Sequence, residues 1–347
     1  MTTTSTISTK PAVPEEKAGL SQGQIVRKRF MGNTAALISL ALFLLILVLA
    51  YSAGGFFGLP GWWKYTYNEV NDLANGGEPT LQLFPFSLGD HPFGQDRLGR
   101  DTFAQTMRGV QISVAVMFII GIVGGAIGVV VGAVSGFFRG RIEAVLMRLT
   151  DVVIVIPLII LAAVLGQLAA RWIPAGIQPY FLGLFVGLVA WTGLARLVRA
   201  EFLSLREREF VDAARIAGAS NARIIFKHIL PNAVGVIIVS VTLSMSAAIL
   251  LETSLSYIGM GVKAPDVSLG SLISQNQEAF STRPWLFWWP GLFIVAICLC
   301  INFIGDGLRD AFDPRQKKFN VRKAGAAAAP DGGQRAADYR TKKASDG

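Results

Sequence analysis

The chain is 347 residues long, 52% hydrophobic and only 16% charged, with a mean hydropathy of +0.50 and a formal net charge of +9. Soluble domains carry about a quarter charged residues, so a soluble globular protein is excluded, as is disorder over most of the chain. Thirty-seven glycines without a strict period exclude a collagen-like chain, and two cysteines exclude a disulfide scaffold.

In chain order, residues 1–33 form a polar N-terminal tail whose first ten residues, rich in Thr and Ser, read as disordered. Six apolar segments follow, at about 34–53, 111–137, 152–170, 180–198, 233–257 and 287–304. Each is long enough to cross a hydrocarbon core of about 30 Å as a helix rising about 1.5 Å per residue. Helices are required there, because lipid offers the backbone no hydrogen-bond partner. The first segment is expected to be retained: its lead-in is long for a signal peptide, and Tyr51, Ser52 and Ala53 make a poor cleavage site. Pro157 and Pro290 fall inside or at the edge of apolar runs and predict kinks that neighbouring helices repair. The expected architecture is all-α, a polytopic membrane protein with six transmembrane helices.

Lys and Arg set the orientation. Five lie in residues 1–33, three between the second and third segments, seven at the basic end of the fourth segment and behind it, and ten after the sixth. The alternate connections hold only seven of the 32. This asymmetry places both termini in the cytoplasm and accounts for the positive charge without nucleic acid. Residues 54–110 then lie outside. They hold Phe56, Phe57, Trp62, Trp63, Tyr65, Tyr67 and six acidic residues, which predicts a folded extracytoplasmic loop with aromatics at the membrane interface. Its Asp90, Asp96 and Asp101 are expected to pair with Arg97, Arg100 and Arg108. Residues 111–306 form the core of five helices. Residues 307–347 are a basic cytoplasmic tail, disordered from 320, with Arg309, Arg315, Lys317, Lys318, Arg322 and Lys323 near anionic headgroups.

The second segment carries Gly121, Gly124, Gly125, Gly128, Gly132 and Gly136, so small residues recur every fourth position along one face. Such a face admits another helix to backbone contact, within the chain or at a subunit interface. Cys298 and Cys300, two apart on a helix, point to different sides and read as packing residues.

The loop at 199–231 is the most informative stretch. Phe210, Ala214 and Ala217 share a small apolar face, and Asp212 is spaced for helical ion pairs with Arg208 and Arg215. Gly218 suits a left-handed helix end and Ser220 an N-cap. Ile225, Phe226 and Ile229 follow on one side, and Pro231 is expected to end the unit. The pattern predicts two short helices at an angle, held under the membrane and shaped to seat in another protein. Helix–Gly–helix with basic residues also occurs in DNA-binding modules, but this unit is tied down at both ends.

The run EFVDAARIAGASNARIIFKHILPNA, residues 209–233, resembles the EAA-loop of bacterial ABC-importer permeases. Ala213, Ala214, Gly218, Leu230 and Pro231 match its pattern, and Asp212 stands where the family usually has Glu. Residues 91–113, 251–273 and 302–315 resemble the dipeptide/oligopeptide branch, and RKRFMGNTAALISLALFLLI resembles the extra first helix of the second permease of such pairs. The resemblance implies a type I ABC-importer permease fold in the bacterial inner membrane. It implies a second homologous permease subunit, two cytoplasmic ABC ATPase subunits that bind ATP and Mg, and an extracytoplasmic solute-binding protein. Glu209, Asp212, Ala213, Ala214, Gly218, Ala219, Ser220 and Pro231 are the implied ATPase-coupling residues. His228 matches the same run and is expected to pack in the loop.

The chain has no G-x-x-x-x-G-K-[ST] phosphate loop and only two histidines, His91 and His228, far apart. No catalytic role, cofactor or metal of its own is expected. Ser244, Ser246, Gln167 and Glu252 are the candidates for the pathway or a gate. Glu252, a carboxylate within a span, is either functional or a hydrogen-bonded packing group. Dipeptides or oligopeptides are the expected cargo; nickel chelates and other small solutes are the alternatives within the branch. An ion-coupled secondary transporter would show internal repeats and paired buried charges, and an embedded enzyme would gather titratable groups at one site.

Overall fold

The computed structural model describes residues 22–55, 60–82 and 84–313. The expected disorder at 1–10 and from 320, and the placements of Phe56, Phe57, Arg315, Lys317, Lys318, Arg322 and Lys323, lie outside these residues. Among the described residues there is no β-strand, only three isolated bridges in the loop before the long central helix.

A short basic helix, α1 (Gln22–Phe30), leads into α2 (Thr34–Gly54). Asn33 caps α2, its side-chain oxygen accepting the Ala36 N–H at 3.2 Å. One side of α2 buries Phe43, Ile46 and Ala50, while Ile38, Leu45 and Val48 stand exposed on the other. An apolar surface outside as well as inside belongs to a helix solvated by lipid.

Helix α3 (Thr102–Phe138) runs 37 residues, about 55 Å by helical rise. It begins nine residues before the apolar pattern does, so the loop expected to reach residue 110 ends at Asp101. Asp101 starts the helix, accepting the Ala104 N–H at 2.8 Å. The first turns of α3 carry Thr102, Gln105, Thr106 and Arg108, so hydropathy does not register them as part of the apolar segment.

The third segment is not one kinked helix. It divides into α4 (Gly140–Val155) and α5 (Leu158–Trp172), bent by 81°. Pro157 forces Ile156 out of the helical region, to φ −79 and ψ 122. The fourth likewise divides into α6 (Gln178–Gly187) and α7 (Thr192–Arg206), bent by 41°. The short helix α8 (Glu209–Ile216) follows. Then α9 (Asn221–Arg223), a π-helical turn (Ile224–Ile229) and α10 (Leu230–Tyr257) make one helical run of 37 residues. Pro231 therefore does not end the unit. The wide π turn, in which the Leu230 N–H reaches Ile225, relieves the clash a proline makes with the preceding turn. A short helix, α11 (Leu269–Asn276), comes next, its first half buried, capped by the reciprocal pair Ser268 and Ser271. Last is α12 (Trp285–Phe312), which keeps Pro290 inside it and runs eight residues past the apolar segment. Four helices are individually long and apolar enough to span a membrane, and the two bent pairs bring the number to six.

Helix α3 is the centre, packed against α2, α6, α7, α10 and α11. Its glycines face inward within this chain. An added methyl would lie 2.9 Å from Leu194 at Gly128, 2.6 Å from the Ala195 carbonyl at Gly132, and 2.7 Å from Phe202 at Gly136. Gly121 and Gly125 meet Met245 and Val241 of α10 instead. Replacing Gly132 by Ala overpacks backbone against backbone and is expected to cost about 1–3 kcal/mol. A lowered melting temperature of the purified protein in detergent checks it; an unchanged one means the two helices can separate freely.

Candidate functional site

Helix α8 ends in a hydrogen-bond pattern that needs a left-handed residue. Gly218 has φ +78, the Gly218 N–H reaches the Arg215 carbonyl at 2.9 Å, and the Ala219 N–H reaches that of Ala214 at 3.0 Å. Ser220 then starts α9 by accepting the Arg223 N–H at 3.4 Å. Two helical arms thus leave a tight corner, the second being the near end of the run that becomes α10. Glu209 and Asp212 lie in the first turn of α8 and Arg215 in its last, as the helix dipole favours. Asp212 pairs with Arg215 at 3.1 Å; toward Arg208 it makes only a backbone contact.

The knob is anchored by apolar packing. Val211, Ile224 and Ile229 are fully buried against Phe202 and Val198 of α7 and Phe137 of α3. The apolar face expected at Phe210, Ala214 and Ala217 is therefore divided. Ala214 turns inward with Val211, while Phe210 and Ala217 stay exposed beside Ala213 and Ile216. Ile216 is 89% exposed and Phe226 69%, so the free face of the knob carries large apolar side chains among charged ones. Glu209, Asp212, Ala213, Gly218 and Ser220 are exposed on it, Ala219 is half-buried, and Pro231 sits up the second arm. His228 is half-buried in the π turn. Ion pairs brace the knob's stem: Arg199 to Glu143, Arg196 to Asp151 at 2.6 Å, and Arg139 to Glu207 at 2.8 Å.

Above the knob a cavity of about 330 Å³ opens between α3, α5, α7 and α10. Gly121, Gly124, Gly125, Ala247 and Ala248 line it, with Ser244 as its hydroxyl. Gln167 lines a second, open groove of about 800 Å³ between α5 and residues Ile258 and Met260. Ser246 and Glu252 reach neither space. Ser246 contacts the Cys298 sulfur at 3.1 Å between α10 and α12. Glu252 is 1% exposed, and its Oε1 accepts the Ser256 hydroxyl at 2.7 Å.

The opposite end of the bundle is polar and buried in a way sequence reasoning missed. Asp101 accepts Trp63 Nε1 at 2.8 Å and lies 2.8 Å from His91 Nδ1, and His91 stacks on Tyr65. Burial pushes the Asp101 carboxyl up, against the pull of His91, the Ala104 amide and Trp63. Of the expected loop pairs only Asp96–Arg100 forms, at 2.6 Å. Asp90 meets Lys64, and Arg108 makes a two-pronged pair with Asp266, 158 residues away, at 2.8 and 3.0 Å. The nearest acid in sequence lost to one brought in by the fold. The N-cap position of Asp101, just before a helix, was the legible signal.

Phe202→Ala is expected to cost about 3–5 kcal/mol, because the ring is fully buried under the knob. Limited proteolysis should then cut within residues 207–220; resistance equal to the parent protein would show the knob is held by something else.

Residues 128–318 match the family described as binding-protein-dependent transport system inner membrane component. Residues 21–82 match the N-terminal TM domain of oligopeptide transport permease C. The chain is similar to the oligopeptide transport system permease protein OppC of Mycobacterium tuberculosis (strain ATCC 25618 / H37Rv), 38% identical over 86% of this chain and 96% of that protein. It is also similar to OppC of Bacillus subtilis (strain 168), 35% identical over 87% and 92%. Among solved structures, an inward-facing form of the MetNI methionine ABC transporter aligns with a TM-score of 0.48 and 22% identity, over 59% of this chain and 95% of that one.

Proposed function

This chain belongs to the family of binding-protein-dependent transport system inner membrane components, and on that premise we propose that it is one of two permeases in an ATP-driven importer of oligopeptides. It is a multi-pass protein of the inner membrane. The names of its relatives support the cargo, and the distribution of Lys and Arg supports termini in the cytoplasm. The knob then faces the cytoplasm and the loop at 60–101 faces outward. Each of two ATPase subunits takes one permease knob, ATP and Mg stay on those subunits, and a solute-binding protein delivers cargo to the outer end. The chain itself performs no covalent step.

The observation that carries the coupling role is continuity. The second arm of the knob and the Ser244-bearing wall of the cavity are one helical run, Asn221–Tyr257. A rigid rod of 37 residues, about 55 Å, delivers displacement at the knob to the cavity and beyond it to the outer end. The exposed apolar face of α8, with Glu209, Asp212, Ala213, Gly218 and Ser220, supplies the docking contact, and apolar surface of this kind buries well in a partner's groove. Ala214, Ala219 and Pro231 act by shaping that face and its arm. Ser244 and Gln167 contact cargo, while Ser246 and Glu252 hold helices together.

Gly218→Val isolates the coupling step. Its added carbon meets nothing within 4 Å, so its effect is backbone strain at a left-handed position, about 1–2 kcal/mol or more. In proteoliposomes holding the complete transporter, uptake should fall on the order of tenfold while ATP hydrolysis continues. Gly218→Asn, which tolerates that conformation, should keep most uptake. Normal transport by the valine variant would remove the docking role. The ligand held by the copurified binding protein tests the cargo: a peptide is expected, and a nickel chelate would overturn the substrate and leave the permease role standing.

A further inference from the structure

Beyond the cavity, on the side away from the knob, lies a hairpin made of the last turns of α10, the turn at 258–268 and α11. The cavity lining stops at Ile120 on α3 and Leu251 on α10. The next turns outward carry Ser113, Val116 and Met117 on one helix and Glu252 and Leu255 on the other. All five are buried, and Leu269 of α11 is buried with them. Helix α11 lies in backbone contact with both walls. A methyl on Gly109 would stand 3.2 Å from the Leu269 nitrogen, and one on Gly270 2.4 Å from the Thr253 carbonyl.

Two buried carboxylates fasten this hairpin, and they are built differently. Glu252 works through a serine. The Ser256 hydroxyl donates to its Oε1 at 2.7 Å, and Ser113 and Ser268 are buried in the same part of the fold. Each of these serine oxygens in turn accepts a main-chain N–H of the hairpin: Val262 at 3.1 Å, Leu269 at 3.2 Å and Ser271 at 3.2 Å. The carboxyl thus sets the Val262 amide through the Ser256 hydroxyl, wholly out of solvent, beside two further serine–amide contacts of the hairpin. Asp266, at the far side of the turn, is held instead by the Arg108 guanidinium. Arg108 is a quarter exposed, lies against the Tyr67 ring and donates to Gln111 at 3.2 Å. Gln111 donates onward to the Ala50 carbonyl at 2.8 Å and the Gly55 carbonyl at 3.2 Å, at the end of α2. The Asp266 fastening therefore reaches α3, α2 and the outer loop together, and water can reach its cationic partner.

We propose that Glu252 is the fixed hinge of this hairpin and that the Arg108–Asp266 pair is its releasable latch, opened when the outer end of the pathway opens. Both are positioning residues for transport and neither touches cargo. The inference rests on the importer reading above and adds to it the residues that decide when the outer end yields. A latch of this kind sets the balance between closed and open pathways, so weakening it shifts the balance toward the state that the binding protein otherwise induces.

The experiment uses the complete transporter in proteoliposomes, with Arg108→Gln, Asp266→Asn and the milder Arg108→Lys. Hydrolysis of ATP without binding protein should rise on the order of fivefold in the first two, and less in the lysine variant. The binding-protein concentration giving half-maximal stimulation should fall, while the maximal rate is kept. A merely structural pair would lower the maximal rate and leave that concentration unchanged. In a second arm, R108C and D266C together are bridged with a reducible bifunctional thiol reagent. Uptake should stop on bridging and return on reduction, whether or not the single variants fold well. Unchanged binding-protein dependence in folded variants, or undiminished uptake in the bridged pair, overturns the latch. If the unaltered transporter shows no stimulation by binding protein at all, the importer reading fails and the latch falls with it.

Discussion

Helix α3 meets α7 at backbone distance along Gly128, Gly132 and Gly136, where even a methyl group would collide with Leu194, Ala195 or Phe202. In lipid there is no hydrophobic force between helices, so close packing of this kind supplies much of what holds them. The constraint reaches the knob, because Phe202, seated over Gly136, is also the floor on which Val211, Ile224 and Ile229 rest. It reaches the cavity as well, since Gly121, Gly124 and Gly125 of the same helix leave the space that Ser244 faces. One glycine ridge sets both the rigidity of the transmitting end and the width of the passage.

The sequence told most about elements whose signal is local. The EAA-like run, the Gly218 corner and the Ser220 cap are written in neighbouring residues, and backbone geometry follows from them directly. The apolar segments marked all six crossings for the same reason. Hydropathy was a poor guide to helix ends. The start of α3 is polar, the continuity of α9 with α10 is hidden by the proline expected to separate them, and α11 is too short and mixed to register. Pro231 is instructive, because a proline stops a helix only if the preceding turn stays α, and here the turn widens.

Long-range polar pairing was illegible. Arg108 had nearby acids to choose from, and nothing in a linear reading selects Asp266 across 158 residues. Glu252 was ambiguous because a carboxylate inside a span fits both a pathway and a packed core. Its environment favours a packed role, since it is 1% exposed and meets the Ser256 hydroxyl one turn on in the same helix. The face expected at Phe210, Ala214 and Ala217 is divided by the fold, with Phe210 and Ala217 exposed and Ala214 half-buried beside Val211, a residue that reading left out.

The two ends of the bundle combine apolar and polar contacts in different proportion. The knob rests on burial among Phe137, Phe202, Val211 and Ile224, with ion pairs on its stem. Interiors packed in that way are dense and yield little, so a push on the free face moves the whole body. The outer end packs Phe93, Phe103, Leu255 and Leu269 in an apolar cluster and adds directed polar contacts, several of them to main-chain groups. Such contacts are lost over a short displacement, and where a partner is partly exposed water takes its place at small net cost. In the proposed importer, an inner end that holds its shape and an outer end that lets go gain from that division: packing under the knob, and a partly exposed ion pair beyond the cavity.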